Sequence, residues 1–197
     1  MAGRTLTRKG TETRRRIVEG AAAEIRDRGV LHTTLDGVLA RTRASKSQLF
    51  HYFPDGKDEL LLAVAAHEAD QVLDDQQPHL DDLSTWEAWQ AWRDGLVARY
   101  VALGPDCPLS AVNSELGRSS PGAQAVSRNL MHRWQSRLAA GIRRMQASGD
   151  IGSAVDPDRA AAALLAGVQG GVLLLLTTGS AEHLEAALDE GLDGLRR

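Results

Sequence analysis

The sequence predicts an all-α protein of about nine helices, and three observations carry that reading. No stretch of the 197 residues alternates apolar and polar side chains as a half-buried strand does. The apolar residues recur instead at helical spacing, i, i+3, i+4 and i+7. The breaks between these stretches hold Ser, Thr or Asp in front and Gly or Pro behind, the residues that satisfy or end a helix.

Taken in order, residues 1–10 are polar, basic and aperiodic, the composition of a flexible arm. A first helix over 11–28 gathers Ile17, Val18, Ala21, Ala22 and Ile25 on one face and meets Gly29, suited to a left-handed close. Thr33 and Asp36 have capping-box spacing for a short helix with Leu35, Val38 and Leu39 inward. Ser45 and Gln48 repeat the spacing for a second, which Leu49, Phe50 and Phe53 would anchor and Pro54 would end. Asp55 is placed to cap a long helix carrying Leu60, Leu61, Val64, Ala65 and Val72 as far as Pro78. A box at Ser84 and Glu87 opens a helix to Leu103, closed by Gly104 and Pro105. A short helix is expected over 108–116 and a long one from Ser120 and Pro121 to Ser148. Asp156 and Pro157 start the most apolar helix, and Ser180 caps the last, to about Leu195.

Charge divides the chain. Residues 1–57 hold 12 Lys/Arg against 6 Asp/Glu, a surplus of six, whereas 58–197 hold 11 against 20. A basic lobe on an acidic body calls for a polyanionic partner at the lobe alone, so a domain over 11–57 is set apart from one over 58–197. The single Cys107 excludes an intramolecular disulfide and suits a reducing compartment. The start, "MAGRTLTRKGTETRRR", has no apolar signal core, and the apolar run over 160–176 is broken by Gln169 and glycines. At 17 residues it is shorter than the roughly 20 a bilayer requires. A cytoplasmic protein without membrane attachment is expected.

Two short helices joined by a tight turn, behind a longer supporting helix, have the spacing of a helix-turn-helix. The second would read DNA, presenting Lys46, Ser47, Gln48, His51 and Tyr52. Lysine meets a guanine edge or a phosphate, glutamine can pair with adenine, and hydroxyls commonly contact phosphate oxygens. Gln48 is open to two roles, helix cap and base reader.

The stretch "TTLDGVLARTRASKSQLFHYFPDGKDELL" resembles the N-terminal domain of TetR-type transcriptional regulators, and with the first helix the likeness covers about residues 11–61. Its marks are a serine-lysine start to the recognition helix, a leucine, the aromatics and a lysine opening the fourth helix. The glycine in "PDGK", with "CPLSAVNSEL" and "LLAGVQGGVLLL", is similar to the subgroup of lincomycin-resistance and multidrug-binding repressors. The resemblance implies that Thr33, Arg43, Ser45, Lys46, Gln48, His51, Tyr52 and Lys57 meet DNA. Arg43 stands where the family usually has a turn glycine, so either the turn differs or Arg43 offsets left-handed strain of about 1 kcal/mol or more through a phosphate contact.

In the C-terminal part Trp89, Trp92, Leu96, Tyr100 and Leu103 share a helix face, and Trp134 lies on another helix. These are either plain core or the walls of an apolar pocket whose polar groups come from Asn113, Glu115, Asn129, His132 and Gln169. Gly167 and Gly171, at i and i+4, allow close helix approach. Since members of the resembled family dimerise through their last two helices, these glycines with Leu174, Leu184 and Leu188 are expected at a dimer interface. The resulting expectation is a homodimeric repressor released from a palindromic operator on double-stranded DNA by a small hydrophobic or aromatic effector, with no cofactor or metal. One rival is a DNA binder without a ligand. Another is an all-α enzyme, although His67–Glu68 and His79, Asp81, Asp82 lack metal-ligand spacing and no nucleophile or phosphate motif occurs.

Overall fold

The computed structural model describes residues 6–104 and 120–197. Eight α-helices occur among them: α1 (Arg8–Arg28), α2 (Leu35–Thr42), α3 (Lys46–Tyr52), α4 (Lys57–Asp74), α5 (Trp86–Leu103), α6 (Pro121–Ser148), α7 (Pro157–Thr178) and α8 (Glu182–Arg196), with one 3-10 turn at His79–Asp81. No strand occurs among the described residues. The helix expected over 108–116 lies outside them. The chain forms two compact units, one of residues up to Asp70 with the start of α6 to Ser127, the other of Gln71 to the end of α5 with Arg128–Arg197.

In the first unit α1 starts three residues earlier than its apolar pattern suggests, because Thr7 caps it by accepting the Gly10 N–H at 3.2 Å. Residues 8–10 are therefore helix, not arm. Gly29, at φ 77°, closes α1 with its N–H on the Ile25 carbonyl. The cap of α2 is Thr34, which takes the Gly37 N–H, while Thr33 turns inward and donates to the Gly29 carbonyl at 2.9 Å. In α3 both halves of the expected capping box form: the Gln48 N–H reaches the Ser45 hydroxyl at 3.1 Å, and the Ser45 N–H reaches Gln48 Oε1 at 2.9 Å.

Leu49 and Phe53 are completely buried, joined by Ile17, Ala22, Val38, Val64 and Ala65 in one core. Phe50 is not an anchor; it is 41% exposed. The reason is angular: each residue turns a helix by 100°, so Phe50 stands a quarter-turn off the inward line through Leu49 and Phe53. The start of α4 also departs from expectation. Its first carbonyl belongs to Gly56, at φ 71°, and Glu59 reaches back to the Asp55 N–H at 3.1 Å. The unit's core includes Leu60, Leu61, Val64 and Ala65, so it extends beyond the 11–57 stretch into α4.

In the second unit Thr85, not Ser84, caps α5, since its extended backbone aims its hydroxyl at the Ala88 N–H. The α5 stripe of Trp89, Trp92, Leu96, Val97 and Tyr100 is buried. Arg93 clamps Asp189 of α8 through two bonds at 2.8 and 2.9 Å, and Arg196 lies 4.5 Å over Trp86. Asp156 caps α7 ahead of Pro157, and α8 begins at Glu182, whose N–H meets the Ser180 hydroxyl two residues back. The two last helices pack along each other. A Cβ at Gly171 would stand 2.5 Å from Leu184 Cα, and one at Gly167 3.2 Å from Ala187 Cβ.

Candidate nucleic-acid interface

The first unit presents α3 on a rigid seat. With Leu49 and Phe53 sealed inside, Lys46, Ser47, Gln48 and His51 are exposed, and Tyr52 is half-buried edge-on to His51 at 4.8 Å. Arg14 lies 5.1 Å over the Phe53 ring and holds the end of α3 from the side of α1. A Cβ at Gly10 would stand 3.4 Å from the Tyr52 hydroxyl, so the start of α1 comes close to this face. A helix start carries partial positive charge and unpaired N–H groups, which favour a phosphate.

The turn before α3 is left-handed at Arg43, with φ 52° and ψ 31°. Of the two possibilities left by the sequence, the turn keeps the glycine geometry and Arg43 carries the strain. Arg43 is exposed and takes part in no ion pair among the described residues. Arg41, by contrast, is committed: Glu24 accepts its Nε at 2.9 Å and Asp27 a second nitrogen. Those bonds, Glu24's first, hold the Arg41 guanidinium above its ordinary pKa. Glu24 is buried and also binds Arg28, so it locks α2 to α1 and engages both arginines.

Of the remaining candidates, Thr33 is 5% exposed with its hydroxyl on a carbonyl, which withdraws that hydroxyl from a phosphate. Ser45 and Gln48 form the α3 cap, leaving the Gln48 amide nitrogen as its outward donor. Lys57 opens α4 with its ammonium 3.5 Å from the Val30 carbonyl. Phe50 is the exposed residue on α3 that helical spacing assigned to the core; its quarter-turn offset from Leu49 is the signal that could have found it.

Around the tryptophans, Trp89, Trp92 and Trp134 are all buried. The Trp92 N–H meets Gln76 Oε1 at 2.8 Å, whereas among the described residues Trp89 Nε1 and Trp134 Nε1 have no partner, nor do Arg99 Nε and Arg137 Nη1. A buried polar group left unpaired costs about 1–3 kcal/mol. Asn129, His132 and Gln169 are exposed, so they do not line this interior; Asn113 and Glu115 lie outside the described residues.

Gly167, Gly171, Leu184 and Leu188 are used within the chain, where α7 meets α8. The opposite face of α7 is left open: Ala162, Ala166, Gln169 and Gly170 are exposed, with Leu173 65% and Leu174 39% exposed. At 22 residues and a mean hydropathy of 1.9 over its most apolar part, α7 is long and apolar enough to cross a membrane by length and composition, exceeding the 17-residue run read from sequence. Only 33% of that part is buried.

Residues 17–64 match the family model described as bacterial regulatory proteins, tetR family, and residues 84–190 match the tetracyclin repressor-like C-terminal domain. An uncharacterized HTH-type transcriptional regulator of Mycobacterium tuberculosis is 28% identical over 156 residues, covering 75% of this chain and 74% of the relative. A TetR transcriptional regulator from Chloroflexus aurantiacus superposes with a TM-score of 0.73 at 26% identity, covering 95% of this chain and 96% of that one. The SmeT–triclosan complex superposes with a TM-score of 0.68 at 22% identity, covering 94% and 92%. These matches reach the family and not the narrower lincomycin-resistance subgroup.

Proposed function

Because the chain belongs to the tetR family of bacterial regulatory proteins, a DNA-binding regulatory family and not an enzymatic one, we propose that it is a cytoplasmic homodimeric repressor that a small hydrophobic or aromatic effector releases from a palindromic operator. The observation that carries the DNA half is the seating of α3. Sealed Leu49 and Phe53 fix the helix, and its exposed side offers Lys46, Ser47, His51 and the Gln48 amide within residues 1–57, the stretch with a surplus of six positive charges. Phe50 joins them as an apolar contact suited to a thymine methyl. Arg43, Tyr52, Lys57 and the start of α1 supply phosphate contacts, which set the register and bring counterion release.

The open face of α7 supports the dimer. A helix this apolar with two-thirds of its most apolar part unburied is covered, in this reading, by the same face of a second copy, with Leu173 and Leu174 at its centre. A two-fold pair would present two α3 helices to successive major grooves, hence a palindrome. Effector response is supported by the unpartnered indole N–H groups and, by analogy, by triclosan in the SmeT complex. In this scheme α4, which contributes to both units, transmits the effector's presence.

The test is retardation of a duplex from the chain's own upstream region. Retention at moderate salt, lost with Lys46→Ala and His51→Ala together, is the expected result. A double variant that binds as tightly as wild type refutes the assignment to α3.

A further inference from the structure

The second unit contains a set of polar atoms that its own packing does not use. Trp89 Nε1, Trp134 Nε1, Arg99 Nε and Arg137 Nη1 are buried without a hydrogen-bond partner among the described residues. All four are N–H donors and none is an acceptor. The fold does satisfy an indole where nothing else is asked of it. Trp92, edge-on to Trp89 at 5.7 Å, gives its N–H to Gln76, whose own amide nitrogen reaches the Val72 carbonyl at 2.6 Å.

The four donors belong to α5 and α6 alone. On α5, Trp89 and Arg99 share a stripe with Trp92 and Leu96. On α6, Trp134, Arg137 and Gly141 share another, at spacings of three and four residues. Gly141 is where the two meet: a Cβ there would stand 3.1 Å from Trp89 Cζ2, on the ring edge that also bears Nε1. Arg137 is one turn from that contact and Trp134 two turns, about 10 Å along the helix. Trp89, Arg137 and Trp134 thus follow one seam, and Arg99 lies about 15 Å from Trp89 along α5. Each guanidinium already uses other nitrogens on a carboxylate, Arg137 on Asp81 at 3.4 Å and Arg99 on Asp75, so what remains is directed N–H capacity more than uncompensated charge.

We propose that the effector is an apolar organic acid, whose carboxylate accepts one or two of the unpartnered N–H groups along the α5–α6 seam while its body lies against the tryptophan rings. This rests on the effector-responsive reading above and names the class of ligand. A carboxylate is an acceptor-only group with about four lone-pair sites, the complement of a donor-only lining. A hydrocarbon of the same shape would bury the indole edges and satisfy none of them.

Benzoate, cinnamate and indole-3-acetate, each paired with its methyl ester, test this on the intact protein, read by tryptophan fluorescence, thermal shift and release of the bound duplex. At least one acid should bind tenfold or more tightly than its ester and release the DNA. In at least one of Trp134→Phe and Trp89→Phe, which keep a ring and remove the N–H, that preference should fall below threefold. The acid-against-ester comparison in wild type decides the question even where a variant does not fold. Esters that bind and release DNA as well as the acids overturn the acid assignment and leave effector control standing. Silence from both acids and esters in every readout, with DNA binding intact, counts against both.

Discussion

Arg43 holds the left-handed turn that its neighbours on α2 and α3 require, and it does so with a side chain. Replacing it with glycine separates its two effects. Arg43→Gly should leave stability unchanged or raise it by up to about 1 kcal/mol, because the left-handed strain goes while chain entropy is lost. The same change should weaken DNA binding at low salt and reduce the slope of log K against log salt by about 0.9, one phosphate contact. Thermal melts and salt-dependent anisotropy measure the two separately. Gln48 offers a complementary case. Gln48→Glu keeps the box, since a carboxylate at this position also accepts the Ser45 N–H. The melting temperature should hold while duplex binding falls by at least tenfold, as a negative charge enters the α3 face. The aromatics divide likewise: Phe53→Ala should cost about 3–5 kcal/mol of stability, whereas Phe50→Ala should cost little stability and lower operator affinity. All these residues were visible in the sequence. What was not was the roles of Phe50 and Thr33, because a capping pattern is ambiguous by one residue and a helix of seven has too few turns to define its inward line.

At the scale of elements, caps and stops were legible because they are local chemistry. Gly29, the Ser45–Gln48 box and Asp156 act where the sequence placed them. The errors of one to three residues at α1, α2, α5 and α8 come from threonine or serine pairs and polar first turns, where neighbouring hydroxyls compete for one N–H. The small residues of α7 show a different limit. Sequence showed that Gly167 and Gly171 admit a close neighbour, and only the fold shows that the neighbour is α8 of the same chain. Accordingly Gly171→Ala should cost about 1–3 kcal/mol by overpacking against Leu184. Gly95→Ala, on α5 with open space around its Cβ, should melt at or above the wild-type temperature. Differential scanning calorimetry on the pair decides.

At the scale of the molecule, the basic N-terminal surplus, the helix-turn-helix spacing and the family motif agreed on a DNA-binding regulator before any coordinates, since net charge and motif spacing survive without tertiary detail. The effector seam did not show, because Trp89, Trp92 and Trp134 read alike in sequence; which indole goes unpartnered depends on Gln76 and Gly141, brought there by folding. Dimerisation through α7 predicts that Leu173→Asp lowers the mass measured by sedimentation to that of one chain while helical content persists. Selection of duplexes from a random-sequence pool, with wild type and with Lys46→Ala/His51→Ala run in parallel, tests the central claim most directly. Wild type should enrich an inverted repeat with half-sites spaced by a helical turn or a multiple of it, and the variant should not. Enrichment of no shared sequence by wild type, or of the same repeat by the variant, would contradict it.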